Sequence, residues 1–227
     1  MDSESVKGSP LEQSFKRLRD RTYATLDFSS GHPFHQEFVQ CFIDYCDEAE
    51  LWEPSFQIIE GPPDDAGQEH RVWFDPSDAC YYKRTHPGFF GLNVVYRDEG
   101  DRYAHPLQYL ERWVLHNDMF GDAIEWLGCF RETEDRLSIL IRQPAIEGIP
   151  ATDSEIDSFF REVAWRPFEI GGECAYYAPN EAVVISDTHR GNLIKMRDGL
   201  LVPIDLRLQR VEGTLRDAVL NFLEDTH

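Results

Sequence analysis

The chain is 227 residues long and carries 22 basic against 42 acidic side chains, for a formal net charge of −20. With a pI near 4.7, that balance excludes a broad basic face for nucleic acid or an anionic membrane, because phosphate surfaces need clustered Lys and Arg. Hydrophobic residues at 41% and aromatics at 13% exclude a disordered acidic tail and supply enough material for a real core.

Residues 1–10 read as a frayed tail. From Leu11 to Leu26 apolar residues recur at helical spacing (Leu11, Phe15, Leu18, Tyr23, Leu26), and after the break at Ser29–Pro33 the pattern repeats over Phe34–Trp52. These two helices are expected to form an extension over residues 1–52 with a packing role. The period then changes. Phe56–Ile59 reads as a strand, Gly61–Gly67 as a loop, Val72–Phe74 as a second strand and Ala79–Lys83 as a third, with a tight turn at Asp75–Asp78. A helix is expected from about Pro106 to Asn117, then strands over Ala123–Phe130 and Leu137–Arg142 around a charged turn, the last stopped by Gln143-Pro144. The five strands read as an antiparallel meander with one helix inserted after the third.

Beyond residue 143 a capped helix starts at Thr152 or Asp153 with Glu155 following. Gly171-Gly172 precedes a strand at Ala175–Ala178, and a short apolar strand covers Ala182–Ile185. Two arms, Asn192–Met196 and Leu200–Ile204, flank Arg197-Asp198-Gly199, and Asp-Gly between apolar arms is a strong hairpin signal. A final helix spans Leu215–Leu223. The five cysteines (Cys41, Cys46, Cys80, Cys129, Cys174) never form CxxC, so reduced, mostly buried thiols in a cytoplasmic compartment are expected. No apolar run reaches the ~18 residues of a membrane span, and the polar start MDSESVKGSP is no secretory signal.

The densest segment is Ile185-Ser186-Asp187-Thr188-His189-Arg190-Gly191-Asn192, followed by the hairpin and Pro203-Ile204-Asp205. Its opening looks like a two-metal phosphoesterase, but that chemistry needs further histidines downstream, and after His189 only His227 remains. The alternative is phosphoryl transfer. A loop aspartate serves as base, an asparagine five positions on holds magnesium, and a short hairpin returns a second aspartate to the same cation. Asp187, Asn192 and Asp205 have that spacing, although an ordinary hairpin with capping carboxylates would read the same way. Such a site also needs a strand lysine for the phosphates and a helix glutamate to orient it. Only four lysines occur (Lys7, Lys16, Lys83, Lys195), and Lys83 ends the third strand as the only one between positions 17 and 194. On the next helix Glu111 is preferred over Glu99, which lies in a Gly-containing connection.

Taken together, "EHRVWFD", "YYKRTHPGFFG", "YLERWVLHNDMFGD", "IRQPAIEGIPAT" and "SDTHRGNLIKMRDGLLVPIDLR" resemble the compact Ser/Thr/Tyr kinase domain found in polyvalent proteins of phages and other mobile elements. The resemblance implies an α+β, protein-kinase-like bilobal fold. Residues 53–142 would form an N-lobe with a five-stranded antiparallel sheet and one helix, and 143–227 a truncated mixed C-lobe. It implies ATP and Mg2+ as cofactors, with Lys83 on the phosphates, Glu111 as its orienting partner and Asp187 as catalytic base. Asn192 and Asp205 become the metal ligands. Gln143 and Ala145 become hinge contacts to adenine, and Gly67 part of an irregular phosphate loop. The implied activity is transfer to a hydroxyl of a protein substrate in the cytoplasm, with delivery into a host cell as one route to it. The alternatives are a small-molecule kinase of the aminoglycoside or choline kinase type, whose Ser-Asp-x-His-x-Gly-Asn pattern is close, and a nucleotide-binding pseudokinase scaffold.

Overall fold

The computed structural model describes residues 10–29, 35–133 and 136–224. The expected tail lies almost wholly outside them, as do all but the first residue of the expected Ser29–Pro33 break and the tip of the turn at 134–135. The described residues fall into two compact units, one drawn from Met1–Gly91, Ala104–Asn117 and Gly121–Ala145, the other from Leu92–Tyr103, Asp118–Phe120 and Ile146–His227.

In the first unit, α1 (Pro10–Thr25) buries Leu11, Phe15, Leu18 and Thr22, and α2 (His35–Glu48) buries Phe38, Cys41, Phe42 and Cys46. These are the i, i+3, i+4 stripes that an amphipathic helix turns inward. Strands β1 (Asp65–Ala66), β2 (His70–Asp75), β3 (Cys80–Thr85), β4 (Glu125–Thr133) and β5 (Arg136–Pro144) form one antiparallel sheet in the order β1-β2-β3-β5-β4, and α3 (Pro106–Phe120) lies between β3 and β4 in sequence. Period-two alternation divides β5 between two cores. Leu137, Ile139 and Ile141 join the cluster with Leu110, Trp113, Phe42 and Leu18, whereas Leu140 packs with Trp73, Tyr82 and Phe130. Gly128 sits at a β-bulge with φ 144°, where a Cβ would stand 2.6 Å from the Leu51 carbonyl. Its bare backbone lets the 51–53 segment bond to Cys129 through Cys129 N to Leu51 O and Glu53 N to Cys129 O, both at 2.8 Å.

Two expectations are corrected here. The segment at Phe56–Ile59 is not a strand: Gln57–Glu60 forms a 3-10 turn, and the sheet's first strand is the two-residue β1. Pro54 upstream and Pro62-Pro63 downstream remove backbone donors that a full edge strand would use. The apolar side chains of Phe56, Ile58 and Ile59 still pack on the Trp73–Tyr82 side of the sheet. Pro144 also does not stop β5 but is its last member, opposite Cys80. A proline is tolerated at that end because the next N–H, of Ala145, takes over the pairing by donating to Ala79 O at 2.8 Å.

The second unit contains β6 (Ile149–Pro150), α4 (Asp153–Glu162), β7 (Arg166–Ile170), β8 (Glu173–Ala178), β9 (Val183–Ser186), β10 (Leu193–Lys195), β11 (Leu201–Pro203), β12 (Arg207–Arg210) and α5 (Gly213–Glu224). They make a four-stranded antiparallel sheet, β12-β9-β8-β7, and a small sheet, β11-β10-β6. The hairpin and the final helix stand where the pattern puts them; β6, β7 and β12 are additions. α4 is capped by the reciprocal Thr152/Glu155 pair. Phe160, fully buried, stacks 4.3 Å from Tyr176 and 5.5 Å from Trp165. On the same sheet, Val219 and Leu223 of α5 pack with Phe168, Tyr177 and Val184. The buried amide of Gln209 binds the 92–103 segment: its Oε1 accepts from Val94 N and Val95 N, and its Nε2 donates to Val95 O.

Phe160→Ala removes the ring that seats α4 on β8. It should destabilise the protein by about 3–5 kcal/mol, the range for burying an aromatic-sized cavity. Urea unfolding should show a lowered midpoint with an unchanged slope; a midpoint equal to wild type would mean that α4 is held by its caps alone.

Candidate active site

The loop that follows β9 begins with an abrupt change of backbone direction. β9 is buried along all four residues and bonded on both sides, to β8 and β12. At Asp187 the chain then enters the left-handed region, with φ 63°. That region costs most L residues ~1–2 kcal/mol, and Asp is among the few that visit it readily. His189 caps a 3-10 turn, Arg190–Asn192, by accepting from Gly191 N through Nδ1 at 3.0 Å. Asn192 closes the loop: its N–H donates to His189 O at 2.9 Å and its Nδ2 to the Asp187 carbonyl at 3.0 Å. The β10–β11 register pairs Leu193 with Pro203, and Ile204 N donates to Asn192 O at 2.9 Å. Asp205 is therefore one residue beyond the last cross-strand bond, beside Asn192. The structure gathers Asp187, Asn192 and Asp205 at one end of this hairpin.

Two basic side chains face the Asp187 carboxylate. His189 Nε2 lies 3.4 Å from Oδ1, and Arg207 Nη2 lies 3.6 Å from Oδ2. Because His189 Nδ1 accepts a backbone hydrogen bond, the proton of the neutral ring is on Nε2 and points toward Asp187. The Arg207 Nε is buried with no hydrogen-bond partner among the described residues. The rest of the loop is clamped to the start of α4. Arg190 makes a two-pronged pair with Asp153, from Nε to Oδ1 at 2.8 Å and from Nη2 to Oδ2, and Lys195 Nζ meets Glu155 Oε1 at 2.6 Å. The Arg190 guanidinium holds Asp153 below the usual carboxylate range. Lys195, helped by the Thr152 N–H and hydroxyl, lowers Glu155 to about 2. Gly148 permits β6 to lie against β10 at this clamp, since a Cβ there would stand 2.4 Å from the Lys195 carbonyl.

The other expected residues belong to the first unit. Lys83 is on β3, opposite Val72 and Ile141, and is buried at 7% exposure, with Nζ 5.4 Å from the centre of the Trp113 ring. Glu111 is half-buried on α3, two residues before Trp113. The neighbouring Arg112 is buried, donates to both carboxylate oxygens of Glu69 at 2.7 and 2.9 Å, and lies over Trp113, its Cζ 4.5 Å from the ring centre. Gly67 follows β1, where its N–H donates to His70 O and its carbonyl accepts from His86 Nε2, both at 2.9 Å. Gln143 is buried on β5 opposite Tyr81. At Ala145 the N–H is spent on Ala79 O, so only its carbonyl is left to meet a base edge. His189, Arg190, Arg207 and the α4 carboxylates Asp153 and Glu155 were not singled out by spacing. The scarcity of lysine points at Lys83 and names Lys195 only among the four, and a cap at Thr152 or Asp153 puts Glu155 near the start of its helix.

As hard oxygen donors, the Asp205 carboxylate and the Asn192 amide fit Mg2+, which takes one or two protein oxygens and fills its remaining positions with water and substrate phosphate. Since Asn192 Nδ2 is committed to the Asp187 carbonyl, the Oδ1 is turned away from that carbonyl and is the group's only acceptor for a cation.

Residues 36–210 match the family described as the Serine/Threonine/Tyrosine kinase found in polyvalent proteins. No curated protein and no solved structure matches the chain.

Two outcomes are expected. At Asp187, Gly accepts the left-handed backbone and Val does not, so Asp187→Val should melt below Asp187→Gly by about 1–2 kcal/mol of stability. Equal melting of the two variants would mean the backbone relaxes there. Glu155→Gln keeps the helix cap but loses the charge that faces Lys195. Because folding depresses the Glu155 pKa from 4.5 to about 2, the stabilisation is fully present above the unfolded value and is lost as pH falls through the folded one. The melting difference between wild type and Glu155→Gln should therefore be constant from neutral pH to about 5 and shrink below it. A difference that grows on acidification would contradict the ion pair.

Proposed function

Because the chain belongs to the Ser/Thr/Tyr kinase family found in polyvalent proteins, we propose that it transfers the γ-phosphoryl group of ATP, with Mg2+, to a hydroxyl of a protein substrate. The observation that carries this reading is Asp187: a non-glycine residue in the left-handed region, tied through its carbonyl to Asn192 and flanked by His189 and Arg207. A carboxylate whose backbone is anchored on one side and which faces basic groups on the other is placed as a general base must be.

Each residue then has a role. Asp187 accepts the proton of the attacking hydroxyl. Asn192 and Asp205 hold Mg2+, which when bound offsets the charge on the phosphates. Lys83 meets the phosphates with a compact ammonium, and its burial beside Trp113 strengthens any contact it makes with an anion. Glu111 orients Lys83 from α3. Gln143 and the Ala145 carbonyl meet adenine at the end of β5, while Gly67 lies near the phosphates without donating its N–H. In this reading residues 53–142 hold the nucleotide, residues 143–227 carry the base and metal ligands, and residues 1–52 are an extension. The described thiols are all free, which supports work in a reducing, cytoplasmic compartment.

Labelled ATP, Mg2+ and a protein mixture provide the test. Asp187→Asn should lower transfer about 10²–10⁴-fold, the usual contribution of a general base. Lys83→Met should abolish both transfer and the thermal stabilisation given by Mg-ATP, whereas Asp187→Asn should keep that stabilisation. Transfer by Asp187→Asn at the wild-type rate would sink the mechanism.

A further inference from the structure

A cavity of about 380 Å³ opens in the second unit next to the Asp187 loop, and no role assigned above uses it. Its inner end is formed by Val94, Val95, Ser186 and Arg207, of which the first three are buried. Ile170 and Leu215 stand along its walls, and Tyr96 and Phe222 are half-exposed at its mouth. Two of the inner residues adjoin the proposed base directly. Ser186 precedes Asp187 in the chain, and the Arg207 guanidinium is 3.6 Å from Asp187 Oδ2. Asn93, Arg102 and Glu173 also line it, so apolar and polar side chains share its walls, and the Arg207 guanidinium borders it beside Asp187.

We propose that this cavity receives the acceptor, and that the acceptor is the phenol of a tyrosine. The inference rests on the phosphoryl-transfer reading and deepens it. The walls suit an aromatic ring, which gains from apolar burial and carries one polar group at its far end. An oxygen that accepts from Arg207 stands within one guanidinium of the Asp187 carboxylate. Serine and threonine hold their hydroxyl on Cβ, at the backbone, and cannot deliver it to the inner end of a cavity; tyrosine extends it by the length of a ring. A purely aliphatic side chain could fill the apolar part of the walls but would bring no acceptor to the Arg207 guanidinium. A glutamate could pair with Arg207, but it must approach a chain of net charge −20, and it carries no hydroxyl to phosphorylate. In the step itself the phenol O–H gives its proton to Asp187. The phenol oxygen bonds to the γ-phosphorus, the bond from that phosphorus to the β,γ-bridging oxygen breaks, and ADP leaves with the electron pair.

The test uses the full chain with Mg-ATP and three peptides that differ only in a central tyrosine, serine or threonine. Tyrosine should be preferred by roughly tenfold or more in kcat/KM, as expected where a pocket is matched to one side chain. Ala218→Phe, which adds a ring from α5 into the cavity, should raise KM for the tyrosine peptide by roughly tenfold while the thermal shift with Mg-ATP persists. On wild type, 4-ethylphenol should compete with the tyrosine peptide and cyclohexanol should not, which needs no variant to fold. Serine or threonine as the preferred acceptor, or absence of competition by the phenol, overturns the assignment and leaves phosphoryl transfer standing. Wild-type KM in a folded Ala218→Phe does the same. No transfer by wild type to any acceptor overturns the kinase reading, and the cavity assignment falls with it.

Discussion

The geometry of the candidate site depends on one hydrogen bond, from Asn192 Nδ2 to the carbonyl of Asp187. β9 ends at Ser186, and the left-handed turn at Asp187 carries that carbonyl out of the sheet, where no ladder partner can reach it. A partly buried carbonyl with no donor costs ~1–3 kcal/mol, so the turn needs a substitute, and the side-chain amide of Asn192 supplies it. The same residue accepts the bond from Ile204 N that closes the base of the hairpin. One asparagine therefore ties Asp187 through its side chain and the hairpin through its backbone, and the first bond sets the direction of its own Oδ1. Replacing the side chain would release the Asp187 carbonyl, while the backbone bond from Ile204 N would remain.

Around that bond, cations are paired off rather than left to gather. Arg190 goes to Asp153 and Lys195 to Glu155, so the loop and the first hairpin arm are clipped to the start of α4. Exposed pairs of this kind contribute only ~0–1 kcal/mol each, so they position the loop more than they stabilise the fold. Both anions also sit at a helix N-terminus, where negative charge is favoured. In the first unit the corresponding restraint is aromatic. Trp113 meets both the buried Lys83 ammonium and the Arg112 guanidinium, and Arg112 is neutralised by Glu69. Lysine at position 83 thus extends from a central strand over a ring face, which a planar guanidinium would occupy differently.

What could be read from the amino-acid order follows from how local each signal is. The hairpin announced itself because Asp198-Gly199 is a turn in its own right, and α4 because Thr152 and Glu155 cap one another within three residues. β6 and β12 leave little trace in the sequence because their identity as strands comes from distant partners: Arg207–Arg210 pairs with Ser186–Val183, and Ile149–Pro150 with residues 194–195. β7 has a local partner, β8, across Gly171-Gly172. Phe56–Ile59 has strand composition, yet its prolines leave it nothing to pair with. Asp187, Asn192 and Asp205 were legible as a spacing, and their proximity within the second unit follows from the hairpin register. The commitment of the Ala145 and Gly67 N–H groups to other backbone carbonyls is a property of the turns that contain them, and composition carries no trace of it.

Arg207 shows how a functional environment can hide in an ordinary strand residue. β12 pairs with β9 in the register Arg207–Ser186 and Leu208–Ile185, so alternation sends Leu208 into the core and Arg207 to the opposite face, beside the residue after Ser186. That residue is Asp187, already turned by its left-handed backbone. The carboxylate is then bracketed, with the His189 Nε2 proton toward one oxygen and Arg207 toward the other. Basic groups then stand on both sides of the carboxylate, at 3.4 and 3.6 Å. The ladder register, the turn at Asp187 and the cap at His189 each arise from separate local chemistry, and only their combination places both groups beside one carboxylate.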